Sequence, residues 1–186
     1  MSEDSERFFI LTGGPGAGKS TLIDALRERG FVGSVEAGRG IIQQQVAVSG
    51  PALPWSDPAL FANLMLSWEM RSYDMARRET GTIFFDRGIP ELPGYFRLMG
   101  LPVPPHVSAA AKTFRYNRRV FALPPWVEIF SQDAERKQDF DEAIRTFEAV
   151  TSAYRESGYE LVEVPRAPIE ERVEFVIDEI RRSERQ

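Results

Sequence analysis

The chain has 186 residues, 42% hydrophobic and 27% charged, the balance of a domain that buries a core. Its net charge of −5 argues against nucleic acid or an anionic membrane as a partner held by bulk positive charge. The lack of cysteine excludes disulfides, thiolate nucleophiles and cysteine-bound metal centres, and a single histidine argues against a histidine metal cage.

The opening MSEDSE is acidic and polar, unlike a secretory or mitochondrial leader, and reads as a disordered tail over residues 1–6 before one domain over 7–186. No apolar run approaches the length of a membrane span, so a cytoplasmic protein with no membrane partner is expected. FFILT at 8–12 is a short apolar run ending at glycine, the pattern of a buried strand. A helix is expected over 20–29, with Leu22, Ile23 and Leu26 on one face and Gly30 as its stop. FVGSVEAG predicts a second strand and RGIIQQQVAV a helix. SGPALPWSDP is a loop, and Asp57-Pro58 reads as an N-cap and first turn of a long amphipathic helix reaching about Arg78.

GTIFFDRG is the next buried strand, closed by Asp86-Arg87-Gly88. The proline-broken stretch to His106 holds one short helix; VSAAAKTFRY reads as helix and RRVFALPP as strand. Residues 126–137 are charged and ambiguous. A helix over 139–157 is expected to turn Phe140, Ile144, Phe147 and Tyr154 to one face. YELVEVP is the last strand, and Ile169, Val173, Ile177 and Ile180 mark a closing helix. Five strands, starting near 8, 31, 82, 119 and 159 and alternating with helices, imply an α/β fold with a mainly parallel sheet covered on both faces. The irregular loops at 50–58 and 87–106 are expected at the strands' carboxyl ends, where open α/β sheets bind ligands.

Gly13-Gly14-Pro15-Gly16-Ala17-Gly18-Lys19-Ser20 fits G-x-x-x-x-G-K-[ST] without a mismatch, with a strand before it and a helix after. Glycines let the loop wrap closely around phosphates with its N–H groups turned inward. The next helix adds free amides and its positive dipole end. Lys19 supplies a charge for the β- and γ-phosphates, Ser20 a hydroxyl for Mg²⁺, and Thr21 a contact near the α-phosphate. A nucleoside triphosphate with Mg²⁺ is the ligand this loop predicts. No Asn-Lys-x-Asp stretch reads guanine, which favours ATP. Asp86, at a strand end, can bind the Mg²⁺ shell or take a proton from an attacking hydroxyl, and Arg87 can reach a phosphate. Lys112, Arg115, Arg118 and Arg119 form a second basic cluster, read as an exposed face or an anion site. Trp55, Trp68, Tyr73, Tyr95 and Phe96 read as core or as an aromatic acceptor pocket.

GGPGAGKST together with FFDRG resembles the P-loop kinases of nucleosides and nucleotides. The likeness extends to the small predicted ATPases of the AAA-domain group related to ribosylnicotinamide kinase. It is carried by Glu36-Ala37-Gly38-Arg39 after the second strand, Asp133-Ala134-Glu135-Arg136 in a lid, and Val164 to Pro168 after the last strand. The resemblance implies a three-layer, kinase-type P-loop fold with acceptor-side inserts near 50–80 and 87–106 and a lid near 126–138. It implies Glu36 as a base or acceptor-orienting acid, Arg39 beside it on a substrate anion, Arg136 on the transferring phosphoryl group, and Arg166 against the nucleotide base. Whether Glu36 or Asp86 takes the acceptor proton is left open.

The expected activity is ATP-dependent phosphoryl transfer to a small-molecule hydroxyl or phosphate, on a nucleoside, nucleotide or related metabolite. Two other readings stand beside it: an ATP-operated switch acting on a protein partner, and a polynucleotide 5′-kinase using the basic cluster at 112–119.

Overall fold

The computed structural model describes residues 3–130 and 139–183. Residues 131–138, with Arg136 and most of the expected lid, lie outside the described residues.

Strand β1 (Phe8–Gly13) is buried at every position. Its side chains alternate between two cores. Phe8 and Ile10 join Ile83, Phe85 and Val120, whereas Phe9 and Leu11 join Phe84 and Phe121. A strand buried on both faces needs apolar residues at both parities, so it reads as a continuous run. Around it lie β2 (Val32–Gly33), β3 (Ile83–Asp86), β4 (Arg119–Leu123) and β5 (Glu160–Glu163), in the order β2-β3-β1-β4-β5. Every pairing is parallel.

Helices α2 (Lys19–Glu28) and α8 (Ile169–Ser183) supply one core layer. On the opposite face pack α3 (Ala37–Ala47), α4 (Pro58–Ala76), α5 (Leu92–Leu98), α6 (Pro105–Thr113) and α7 (Phe140–Glu156). The α/β, five-stranded parallel expectation therefore holds. Asp57 caps α4 as its sequence implies, accepting from the Leu60 N–H at 2.9 Å.

Three local expectations are corrected. Residues 3–7 are not a disordered tail but a short helix, α1 (Glu3–Arg7). The Glu6 carbonyl accepts from Asn117 Nδ2 at 2.7 Å and Arg7 donates to the Ala76 carbonyl, which ties the segment down. The second strand is only two residues long. Beyond it, Ser34 still donates its N–H to the Phe84 carbonyl, but Glu36 already stands at the N-cap position of α3. On α7 the buried stripe runs through Ala143, Val150, Ala153 and Tyr154 rather than Phe140, Ile144 and Phe147. The reason is close packing on α5. A Cβ at Gly94 would sit 2.6 Å from the Ala149 carbonyl oxygen and 3.0 Å from the Ala153 Cβ, so only small residues fit the crossing.

Candidate active site

The phosphate loop leaves β1 and enters α2. Gly13, Gly16 and Gly18 have φ of 152°, 71° and 78°, backbone that favours glycine. The loop's back is closely packed: a Cβ at Gly14 would lie 2.4 Å from the Ala143 carbonyl oxygen, and one at Gly16 2.7 Å from the Phe130 ring. Pro15 and Ala17 are buried, while Ser20 and Thr21 are exposed. Gly14→Ala is expected to destabilise the fold by about 1–3 kcal/mol, because its neighbour is backbone and cannot step aside. Urea denaturation of the variant against wild type reads this directly.

Lys19 is buried and donates from Nζ to the carbonyls of Gly13 (3.3 Å) and Gly14 (3.0 Å). Its ammonium thus sits inside the turn of the loop, where terminal phosphates of a nucleotide would lie. Ser20 Oγ, in the first turn of α2, donates to Asp86 Oδ2 at the end of β3 at 3.3 Å. A hydroxyl and a carboxylate brought together there fit Mg²⁺, which takes few protein oxygens and fills its other positions with phosphate and water. Among the described residues no cluster of three His, Cys, Asp or Glu competes as a metal site.

Asp86 is 2% exposed, and its N–H is fixed by Ser34 Oγ at 3.0 Å. Arg87 follows with φ 75°, an uncommon value for a residue with a side chain. Its N–H donates to the Leu11 carbonyl at 3.0 Å. Arg87, expected to reach a phosphate, lies among carboxylates. NH1 donates to Glu91 Oε1 at 2.8 Å, and Nε lies 3.6 Å from Glu36 Oε1. Burial opposes its charge, but Glu91, Glu36 and Asp86 outweigh burial and push its pKa above the usual arginine value.

Glu36 is buried at the start of α3, beside Arg87. Arg39 is half-buried one turn on. Arg166 is exposed and donates from Nε to the Pro125 carbonyl at 3.1 Å, joining the loops that follow β4 and β5. Of the aromatic set, Tyr73 and Phe96 are core, Trp68 and Tyr95 pack partly buried against it, and Trp55 is exposed. Two of the four basic-cluster residues are engaged in structure, while Lys112 and Arg118 are exposed. Arg119 pairs with Glu179 at 3.3 Å, and Arg115 lies over the Tyr159 ring and donates to the Ser157 carbonyl.

Three residues not singled out in the sequence complete the site. Glu91 takes Thr12 Oγ1 at 2.8 Å and the Tyr154 hydroxyl at 3.1 Å on Oε2, with Arg87 on Oε1. It therefore links β1, α7 and the end of β3. Arg172 on α8 donates to the Ala17 carbonyl at 3.0 Å and supports the phosphate loop from behind. Glu69 interrupts the apolar stripe of α4 between Met65 and Tyr73, and its Oε2 is buried without a hydrogen-bond partner.

Burial, followed by the carboxylates of Glu91 and Asp86, raises the Glu69 pKa well above the ordinary carboxylate range. A carboxyl raised on folding stabilises fully below its unfolded pKa and loses that contribution as pH climbs through its folded pKa. Each unit of upward shift corresponds to about 1.4 kcal/mol once both states are ionised. Glu69→Gln is therefore expected to gain stability relative to wild type as pH rises above the usual carboxylate pKa. Denaturant midpoints of the two proteins across pH 4 to 9 check the sign.

A parallel β2-β3-β1-β4-β5 sheet whose glycine loop runs from β1 into α2 has the P-loop fold of the kinase type. The chain belongs to the AAA-domain family whose model matches residues 8–172. No curated protein sequence matches it. Among solved structures, it is similar to deoxyadenosine kinase from M. mycoides with products dCMP and a flexible dCDP bound. The TM-score is 0.69 at 13% identity, over 94% of this chain and 98% of that one. NadR protein in complex with NR gives 0.68 at 21% identity, over 92% of this chain but 50% of that one. Thymidylate kinase from Ehrlichia chaffeensis gives 0.61 at 13% identity, over 95% of this chain and 99% of that one. At these identities the likeness is one of fold. No helix among the described residues is long and apolar enough to cross a membrane.

Proposed function

We propose that this protein is an ATP-dependent phosphotransferase acting on a small molecule of the nucleoside, nucleotide or related metabolite class. The observation that carries the reading is the 3.3 Å contact between Ser20 and Asp86 at the mouth of the phosphate loop. It sets a metal-binding hydroxyl and a strand-end carboxylate beside the buried Lys19 ammonium. The neighbouring folds support it: a deoxyadenosine kinase and a thymidylate kinase share the fold.

The loop amides of 13–18 and the amino end of α2 bind the triphosphate, and Lys19 offsets charge on its terminal phosphates. Ser20 and Asp86 would hold Mg²⁺. Magnesium, when bound, neutralises part of the phosphate charge and orients the terminal phosphoryl group. On the acceptor side, Glu36 and Asp86 are the buried carboxylates that can receive the hydroxyl proton. As the acceptor oxygen forms its bond to the γ-phosphorus, the bond to the β,γ-bridging oxygen breaks and its electron pair leaves with ADP. The protein's contribution is placement and charge, since this transfer needs little covalent help. Arg136 in the lid and Arg166 near the base remain part of the proposal.

An ATP-consumption screen over nucleosides, mononucleotides and cofactor precursors tests the reading. Consumption that starts only when an acceptor is added is the expected result. Steady hydrolysis indifferent to every acceptor contradicts it and favours a nucleotide-operated switch.

A further inference from the structure

Two residues of the basic cluster, Lys112 and Arg115, line a half-open cavity of about 360 Å³ between α5, α6 and the end of α7. Small side chains leave the gap: Ala111 on α6 and Ala153 on α7 both line it, and neither can fill it. Ser108 and Lys112, four residues apart on α6, share the face that looks onto it. The cavity lies away from the phosphate loop. Arg115 and Ser157 stand just before β4 and β5, at the amino end of a parallel sheet, whereas the loop follows the carboxyl end of β1. Along α7 the rise from Ala143, which packs on Gly14, to Glu156 at the cavity is about 20 Å.

Its charge is positive in a chain whose net charge is −5. Three cations, Arg97, Lys112 and Arg115, line it against one carboxylate, Glu156. Glu156 is already matched: Arg97 NH2 lies 2.7 Å from its Oε2, and Ser152 Oγ donates to its Oε1 at 3.1 Å. The excess rests on Lys112 and Arg115, neither of which forms an ion pair among the described residues. Lys112 is exposed. Arg115 is held in place by the Tyr159 ring, 4.2 Å from its guanidinium carbon, and by its hydrogen bond to the Ser157 carbonyl. The carbonyl ends of α5, α6 and α7 favour cations here, but they do not account for an unfilled space between them.

We infer that this cavity is a second ligand site, for a small phosphate monoester whose phosphate is received by Lys112 and Arg115. Charge and size set the class. A guanidinium and an ammonium are the two side chains that meet phosphate best, one by its planar fork and one as a point charge. The Ser108 hydroxyl can donate beside them. The volume stands at the small end of the roughly 300–1,000 Å³ of small-molecule sites. That leaves room for a sugar-sized group against Pro93, Val103, Ala111 and Ala153. The inference does not depend on the phosphotransferase reading.

Calorimetric titration of the intact protein tests it, with the phosphate loop first filled by a non-hydrolysable ATP analogue and magnesium. The probes are ribose 5-phosphate, ribose and inorganic phosphate. Wild type is expected to bind ribose 5-phosphate saturably, and ribose and inorganic phosphate at least about tenfold more weakly. Equal affinity for ribose or for inorganic phosphate overturns the monoester class. The absence of saturable ribose 5-phosphate binding overturns the site.

Two variants locate the binding. Lys112→Glu, at an exposed position, is expected to weaken ribose 5-phosphate by about tenfold or more while leaving the thermal midpoint of the free protein unchanged. Glu156→Gln frees Arg97 and removes the one lining carboxylate, so it is expected to bind about threefold to tenfold more tightly. A gain of affinity cannot arise from a folding defect. Ribose 5-phosphate bound instead beside Glu36 and Arg87 would keep its affinity in Lys112→Glu, and that result overturns the inference.

Discussion

Lys19→Ala is expected to lower phosphoryl transfer by about 10³-fold and to remove measurable ATP binding. The Nζ group is buried inside the loop, held by the Gly13 and Gly14 carbonyls, and is the one full positive charge of the 13–21 segment. Deleting a group that stabilises charge in a dry site typically costs about 10² to 10³ in rate, and a charge-assisted hydrogen bond contributes about 1.5–3 kcal/mol to binding. The loop itself is expected to persist. Its glycine φ values and its packing on Ala143, Phe130 and Arg172 do not depend on the lysine. Thermal unfolding of the variant without nucleotide, compared with wild type, separates loss of function from loss of fold.

Asp86→Asn is expected to divide turnover from binding. Its carboxylate is 2% exposed, 3.3 Å from Ser20 Oγ, and among the acids that surround Arg87. The amide keeps the size of the side chain and the Ser34 contact to the backbone N–H, but it cannot hold Mg²⁺ as a carboxylate does or receive a proton. A fall of about 10² to 10³ in kcat is expected, with ATP affinity changed by less than about tenfold because the loop amides and Lys19 are untouched. Single-turnover rates beside direct ATP titrations separate the two quantities. An equal loss in both would make Asp86 a binding residue only.

How much of this was legible in the sequence depends on how local the cause is. The phosphate loop could be read because its chemistry is contiguous: a strand, glycines that free the backbone, a lysine, a hydroxyl, a helix. The five strands could be read because a buried parallel strand is a short apolar run closed by turn residues. Glu91 could not be read this way. It sits in IPELP, a proline-broken stretch that looks like loop, and its partners Thr12 and Tyr154 are 79 and 63 residues away. Its one local signal was the four-residue spacing from Arg87. Glu69 did carry a signal, a carboxylate at a core position of the α4 stripe. Arg172 likewise lies beside Val173 on α8, but only the packing of α8 under the loop gives it a role. On α7 helical spacing picks out Phe140, Ile144, Phe147 and Tyr154, but α5 approaches through Gly94 and selects alanines. Phe140 instead packs edge-on against Phe130, beside the phosphate loop.

The reading also assigns burial a direct part in function. Lys19, Glu36, Glu69, Asp86 and Glu91 all lie below one-tenth exposure, where charges act more strongly than at a wet surface. Such an arrangement is costly unless a ligand or a partner charge completes it.

Calorimetric titration of the intact protein with ATP and magnesium, paired with a thermal melt at saturation, bears most directly on the whole proposal. Saturation at about 100 times Kd contributes about 2.7 kcal/mol, which for a chain of this size raises Tm by about 5–10 °C. Heat of binding with such an upshift is the expected outcome, and Lys19→Ala should abolish both. Folded wild-type protein that gives neither heat nor upshift would contradict triphosphate binding by the 13–21 loop.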